Sequence, residues 1–120
     1  MTSRLLVIDS DVGFISVVGP RLTAFGFEVR HAPTTEAAEL IIKDYPPDLV
    51  LLDLSHANYA DALDWVLHRE THLRFIVLSS VTDMKGITLA IETGALDYIL
   101  KPCELPRLVG KIHNALVVTI

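Results

Sequence analysis

The stretch LVLLD, Leu49–Asp53, decides the fold, because four consecutive apolar residues run directly into a carboxylate. A continuous apolar run of this length is typical of a strand that is buried on both faces, as in a parallel sheet. Pro46 and Pro47 lie just before the run and separate it from the preceding segment. Open α/β sheets bind ligands at the carboxyl ends of their strands, so Asp53 is predicted to lie where a functional site would form.

Other short runs have the same character and end in polar residues. These runs are Leu5–Ile8 before Asp9, Phe75–Leu78 before Ser79, and Tyr98–Leu100 before Lys101. Glu28–His31 alternates polar and apolar residues at its start, which favours a half-exposed strand at a sheet edge.

Segments with apolar residues at helical spacing lie between these strands. One such helix is predicted from about Asp61 to Glu70, with Leu63, Val66 and Leu67 facing inward. Five strands that alternate with five helices predict a parallel sheet with right-handed crossovers and helices on both faces. The pattern fits the α/β flavodoxin-like class, a doubly wound (βα)5 sandwich of strand order 2-1-3-4-5, and residues 1–120 fit one domain.

The composition excludes several function classes. A net charge of −5 provides no basic surface, so direct nucleic-acid binding by this domain is not expected. No apolar stretch reaches the roughly 18 residues that a membrane span needs, so no membrane association is expected. The single cysteine, Cys103, excludes an internal disulfide and favours a cytoplasmic location.

Charged and hydroxyl side chains follow four strands that should end at one edge of the sheet. They are Asp9, with Asp11 nearby, and Asp53, Ser79 and Lys101. Neighbouring strands lie about 4.8 Å apart, so these side chains can meet in one cleft. Clustered carboxylates suit Mg²⁺, and a lysine with a hydroxyl suits a phosphoryl group. The set therefore predicts an aspartyl-phosphate site.

The whole chain resembles the receiver domain of two-component response regulators, the chemotaxis-type phosphoacceptor domain. The motifs that carry the resemblance are Val7–Asp9, Pro47–Asp53, Val77–Ser79 and Gly94–Pro102, at matching intervals. The resemblance implies a domain that is phosphorylated by a sensor histidine kinase or a phosphotransfer protein and then switches an output or partner surface. It implies no enzyme beyond Mg²⁺-dependent phosphorylation and dephosphorylation of the domain itself.

The resemblance also implies a role for each matching residue. Asp53 would be the phosphoacceptor, and Ser79 and Lys101 would contact the phosphoryl oxygens. Asp9, Asp53 and the backbone carbonyl of Ser55 would hold Mg²⁺.

Further implications concern the last strand and the switch. Tyr98 would be the aromatic residue that turns inward on activation, coupled to Ser79, although a plain core role is the alternative. The peptide bond before Pro102 would be cis. The face formed by helix 4, strand 5 and helix 5 would be the switching surface and a homodimer contact.

Two departures from the family pattern bear on the metal. Ser10 stands where the family usually has a second acid, and a hydroxyl is a poorer Mg²⁺ ligand than a carboxylate. Asp11 is a candidate to compensate through a water molecule. His56 and Ala57 replace the usual Met-Pro pair of the loop. These departures keep an alternative open, an atypical pseudo-receiver that acts as a phosphorylation-independent protein-interaction module.

Plainer interpretations apply to several residues. Lys101 can serve as a salt-bridge partner of Asp53 without any phosphate. The histidines form no convincing metal cluster and are interpreted as surface residues; they are His31, His68, His72 and His113. A hydrolase of the same fold would need an additional general acid, for which Asp11 is a remote candidate.

Overall fold

The computed structural model describes residues 2–55, 59–69, 71–80 and 83–118. Five strands alternate with five helices along the chain, as the apolar runs predict. The elements are β1 Arg4–Ile8, α1 Val12–Ala24, β2 Glu28–Ala32, α2 Thr35–Asp44, β3 Leu49–Asp53, α3 Tyr59–Leu67, β4 Phe75–Ser80, α4 Met84–Thr93, β5 Tyr98–Lys101 and α5 Leu105–Leu116.

All neighbouring strands pair in parallel, in the order β2-β1-β3-β4-β5. The predicted doubly wound sheet is therefore confirmed, with β2 at one edge. Asp53 pairs with Leu78, and Ser79 pairs with Leu100. This register brings the ends of β1, β3, β4 and β5 to one edge of the sheet, which is where the polar residues follow the strands.

Consecutive side chains of the apolar runs enter two separate cores, one on each face of the sheet. Leu49 and Leu51 pack against α1 and α5, whereas Val50 and Leu52 pack against α2, α3 and α4. All residues of β3 are buried. Side chains of a strand alternate between its faces, so a run without polar interruptions is required when both faces are covered.

The loop after β1 leads into α1 through a side-chain cap. Asp11 is the N-cap residue, and its Oδ1 accepts a hydrogen bond from the Phe14 backbone N–H at 3.1 Å. An acceptor at this position satisfies one of the N–H groups that the first turn leaves without a helical partner. The cap fixes the direction in which α1 starts from the end of β1.

The third helix differs from its predicted bounds. It runs from Tyr59 to Leu67, two residues earlier at its start than expected. Leu63 is buried as predicted, but Leu67 is 60% exposed, so its inward assignment was wrong. Only a narrow stripe of this short helix faces the sheet, and Leu67 in its last turn lies outside that stripe.

No helix in the described ranges is long and apolar enough to cross a lipid bilayer.

Candidate functional site

Lys101 links the two carboxylates at the edge of the sheet. Its Nζ donates to Asp9 Oδ2 at 2.6 Å and lies 3.3 Å from Asp53 Oδ1. The side chains of both aspartates are almost fully buried, and that of Lys101 is 16% exposed. Three strand ends thus deliver two negative charges and one positive charge to one point, as the sequence predicts.

Backbone N–H groups fix the orientation of both carboxylates. Asp9 Oδ1 accepts from the Asp11 N–H at 2.9 Å, and Asp53 Oδ1 accepts from the Ser55 N–H at 3.2 Å. Hydrogen bonds of an ionised carboxylate are stronger than neutral ones, so these contacts hold the side chains in place. The oxygens are therefore set in position before any ligand arrives.

Ser79 contributes a buried hydroxyl on the neighbouring strand. The residue is fully buried and lies one position beyond Leu78, the partner of Asp53 in the sheet. Its Oγ has no hydrogen-bond partner within the part of the chain that the structure describes. Buried polar groups without partners are rare in folded proteins, so this hydroxyl is a candidate to bind a ligand at the sheet edge.

Burial raises the pKa of the Asp9 carboxyl above its ordinary value of 3.8. The hydrogen bonds from Lys101 and from the Asp11 N–H oppose this rise, and the negative charge of Asp53 adds to it. The removal of a charge from water can outweigh the attraction of its ion-pair partner. The ionised form of Asp9 is therefore less favoured in the folded chain than it is in water.

Replacement of Asp9 by asparagine is expected to raise the free energy of unfolding at neutral pH by about 1 kcal/mol, the order of magnitude of a single stabilising substitution. A raised acid pKa means that the folded state binds more protons than the unfolded state, so wild-type stability rises as pH falls through that pKa. The difference between the two proteins should then shrink at acidic pH. Urea unfolding at both pH values measures it, with D64N on exposed α3 as a control. A wild type more stable than D9N at neutral pH would contradict the prediction.

An open cleft of about 290 Å³ lies beside these groups, between the sheet edge and the helices α2 and α3. The residues that line it include Asp9, Ser10 and Asp53 at the strand ends, Thr35 of α2 and Asp61 of α3. The cleft gives the buried carboxylates an approach from solvent. A partner can therefore reach Asp53 without unfolding of the sheet.

The oxygen donors at this edge are of the type that Mg²⁺ prefers. The carboxylates of Asp9 and Asp53 are hard oxygen ligands, and the carbonyl of Ser55, two residues beyond the end of β3, is a further candidate donor. The described residues include no group of three or more histidine, cysteine or acidic side chains that could hold a metal ion. The donor set suits a magnesium ion with fewer carboxylates than the resemblance describes.

The remaining site predictions have mixed outcomes. The bond between Lys101 and Pro102 is cis, as the resemblance implies. Tyr98 is 37% exposed, so the core alternative for this ring is wrong and its switch role stays a prediction. Asp11 caps α1, and its contact with a metal through water stays a prediction. His56 and Ala57 lie outside the described residues.

Two residues near the site were not predicted from the sequence. His31 was interpreted as a surface residue, yet it is half-buried and its ring Nε2 donates to the Asp9 carbonyl oxygen at 2.6 Å. Phe14 carries no sequence signal of a site role, yet its ring centroid lies 4.2 Å from Lys101 Nζ. His31 on β2 thus contacts Asp9, and Phe14 in the first turn of α1 contacts Lys101, and the tertiary structure alone brings these residues together.

Comparisons with known proteins agree with this geometry. The family model described as the response regulator receiver domain matches residues 5–113. The chain is 33% identical to the transcriptional regulatory protein YvcP of Bacillus subtilis, over 94% of this chain and 48% of that protein. It is 31% identical to the DNA-binding response regulator MtrA of Mycobacterium tuberculosis, over 97% of this chain and 51% of that protein. The chain thus spans about half the length of these relatives.

Solved structures with the same fold cover nearly the whole chain. The receiver domain of NtrX from Brucella abortus superposes with a TM-score of 0.86 at 29% identity, over 96% of this chain and 99% of that one. A response regulator from Thermotoga maritima superposes with a TM-score of 0.87 at 26% identity, over 98% of this chain and 100% of that one. The similarity therefore extends from the family motifs to the architecture.

Proposed function

The chain belongs to the response regulator receiver domain family, and from this premise we propose that Asp53 accepts a phosphoryl group from a histidine of a sensor kinase or a phosphotransfer protein. The observation that carries the proposal is the position of Lys101 Nζ, 2.6 Å from Asp9 Oδ2 and 3.3 Å from Asp53 Oδ1. An ammonium at this point can contact the Asp53 carboxylate first and the oxygens of an arriving phosphoryl group afterwards. The hydroxyl of Ser79 supports the proposal, because it is buried and ready to donate.

The proposed step exchanges one bond for another. A carboxylate oxygen of Asp53 forms a bond to phosphorus while the phosphorus–nitrogen bond of the donor's phosphohistidine breaks, and the electron pair stays on the imidazole nitrogen. Lys101 and Ser79 then hold the phosphoryl oxygens, because a cation and a hydroxyl stabilise charge that develops on them. Receiver domains are generally not enzymes, and we propose no turnover of a separate substrate.

We propose that Asp9, Asp53 and the Ser55 carbonyl hold Mg²⁺, which when bound supplies positive charge to a transferring phosphoryl group. Within the chain itself, Asp9 has a second task, because its Oδ2 accepts from Lys101. Substitution of Asp9 would therefore disturb both the cation site and the lysine. This dual role separates Asp9 from Asp53, which bears the reacting oxygen.

Acetyl phosphate, a small acyl phosphate, tests the proposal without a kinase. Incubation with Mg²⁺ should add the mass of one phosphoryl group to the intact protein, and peptide mapping after borohydride reduction should assign it to Asp53. A chelator in place of Mg²⁺ should prevent the addition. An unchanged mass in the presence of Mg²⁺, with a folded protein, would refute the proposal.

Replacement of Ser10 by aspartate is expected to tighten Mg²⁺ binding about tenfold, because a third carboxylate joins a site that prefers charged oxygen ligands. Isothermal titration of both proteins with Mg²⁺ measures the difference. S16D on the exposed outer side of α1 is a matched control that adds the same charge away from the site, and it should leave the affinity unchanged. Equal affinities of the wild type and S10D would contradict the prediction.

The alternative function is a pseudo-receiver that binds a partner without phosphorylation. Ser10 favours it, because a hydroxyl in the place of a carboxylate is a poorer Mg²⁺ ligand. The contact of Lys101 with both carboxylates favours the phosphoacceptor. The acetyl phosphate experiment separates the two, since a pseudo-receiver would gain no phosphoryl group. Its wild-type and D53N forms would also bind the partner equally well.

The switching surface is proposed to be the face formed by α4, β5 and α5. Tyr98 lies at the start of β5 and is accessible enough to change its position. We propose that phosphorylation shifts the population of this face, and that the face contacts a second copy or an output partner. The names of MtrA and YvcP describe regulators of transcription or DNA binding, so a cytoplasmic role in transcriptional signalling is proposed here too.

A further inference from the structure

We propose that Phe14 is a positioning residue that holds the Lys101 ammonium for phosphoryl transfer, an inference that rests on the proposed function of the site. Lys101 Nζ lies over the ring of Phe14, 4.2 Å from its centroid. A cation over an aromatic face is attracted by the negative charge of that face. The attraction is strongest where water is excluded, and the Lys101 side chain is largely buried.

The start of α1 places this ring by a short chain of hydrogen bonds. Asp9 Oδ1 accepts from the Asp11 N–H, and Asp11 Oδ1 accepts in turn from the Phe14 N–H. Side chains of a helix lean toward its N-terminus, which carries the Phe14 ring toward the strand ends. One segment of six residues therefore supplies Lys101 with both a carboxylate and an aromatic face.

The chemistry of the ring suits a lysine that must change its partner. An ammonium has three N–H donors, and here it contacts both Asp9 and Asp53. When Asp53 carries a phosphoryl group, the ammonium has to move from the carboxylate oxygen to a phosphoryl oxygen. The ring attracts the cation without an acceptor oxygen, so it does not compete with the phosphoryl group. A further carboxylate in its place would compete and would repel the incoming negative charge.

Packing of Phe14 against the core provides the competing explanation. Phe14 is half-buried and packs against the core on the α1 and α5 side of the sheet. Any large truncation would therefore disturb packing and site together. Leucine and methionine retain apolar bulk without a ring, whereas tyrosine retains the ring, so these variants separate the two explanations.

The rate of phosphorylation by acetyl phosphate at saturating Mg²⁺ tests the proposal. We expect F14L and F14M to be about tenfold slower than the wild type and F14Y to remain within about twofold, because only tyrosine keeps the aromatic face. F25L, which removes an exposed ring at the opposite end of α1, is the control and should match the wild type. The Mg²⁺ affinity of all variants should remain within about twofold, since no metal donor changes.

Proton NMR provides a second readout that does not depend on phosphorylation. The ε-methylene protons of Lys101 should be shifted upfield by the ring current in the wild type and F14Y, and this shift should disappear in F14L. Rates of F14L and F14M equal to the wild type, or an F14Y rate as low as that of F14L, would overturn the inference alone. A folded wild type that gains no phosphoryl group would overturn the proposed function and this inference together.

Discussion

Replacement of Asp53 by asparagine is expected to abolish phosphorylation by acetyl phosphate in the presence of Mg²⁺. An amide lacks the charged oxygen that forms the bond to phosphorus, and no other described acid has the same contact with Ser55 and Lys101. The intact mass of D53N should therefore stay unchanged under conditions that convert the wild type. Asparagine has nearly the shape of aspartate, so the effect is expected without loss of the fold.

The exposed Asp64 provides a matched control for this substitution. Its side chain lies on α3 and is 70% exposed, away from the sheet edge. D64N makes the same chemical change and should be phosphorylated at the wild-type rate. Phosphorylation of D53N at that rate would show that another residue is the acceptor and would contradict the assignment.

Substitution of Lys101 by methionine is expected to slow phosphorylation about 100-fold, the usual effect of losing one preorganised charge at a site of developing negative charge. Methionine retains most of the apolar length of the side chain but removes the ammonium that joins the two carboxylates. Asp9 and Asp53 are then two buried anions without that cation, and they repel the phosphoryl group. Time courses of the phosphorylated mass measure the rate, and the Mg²⁺ concentration is varied to separate metal binding from transfer.

Lys111 is a closely matched control because it has the same kinds of contact at another place. Its Nζ lies 3.2 Å from Asp97 Oδ1 and 4.7 Å from the centroid of the Tyr98 ring, at the beginning of β5. K111M removes an ammonium from a carboxylate and a ring without a change at Asp53. The two methionine variants should differ about 100-fold in rate. Equal rates would contradict the role of Lys101.

The sequence predicts the main features of the fold because each of them depends on local patterns. An apolar run such as Leu49–Leu52 requires a strand that is buried on both faces. A polar residue directly after such a run then lies at the end of the strand. These local patterns alone predict that Asp9, Asp53 and Lys101 lie at one edge of the sheet. The register of β3 with β4 then explains why Ser79 lies next to them.

Other features depend on contacts between distant parts of the chain. No local pattern indicates that the ring of His31 reaches the Asp9 carbonyl from β2, or that Phe14 lies over Lys101, 87 positions further along the sequence. An apolar residue in a first helical turn is usually explained by the core alone. The exposure of Leu67 was not predicted for a related reason. Helical spacing predicts which side of a helix is apolar, but not how wide a stripe of that side is buried.

A crystal structure of the chain with Mg²⁺ and beryllofluoride, a stable mimic of the phosphoryl group, tests the central claim most directly. The account predicts that the mimic is bound to Asp53, with Lys101 Nζ and Ser79 Oγ in contact with its fluorine atoms and Mg²⁺ between Asp9 and Asp53. A mimic bound to another residue, or a soaked crystal in which Asp53 still contacts Lys101 and carries no mimic, would contradict it.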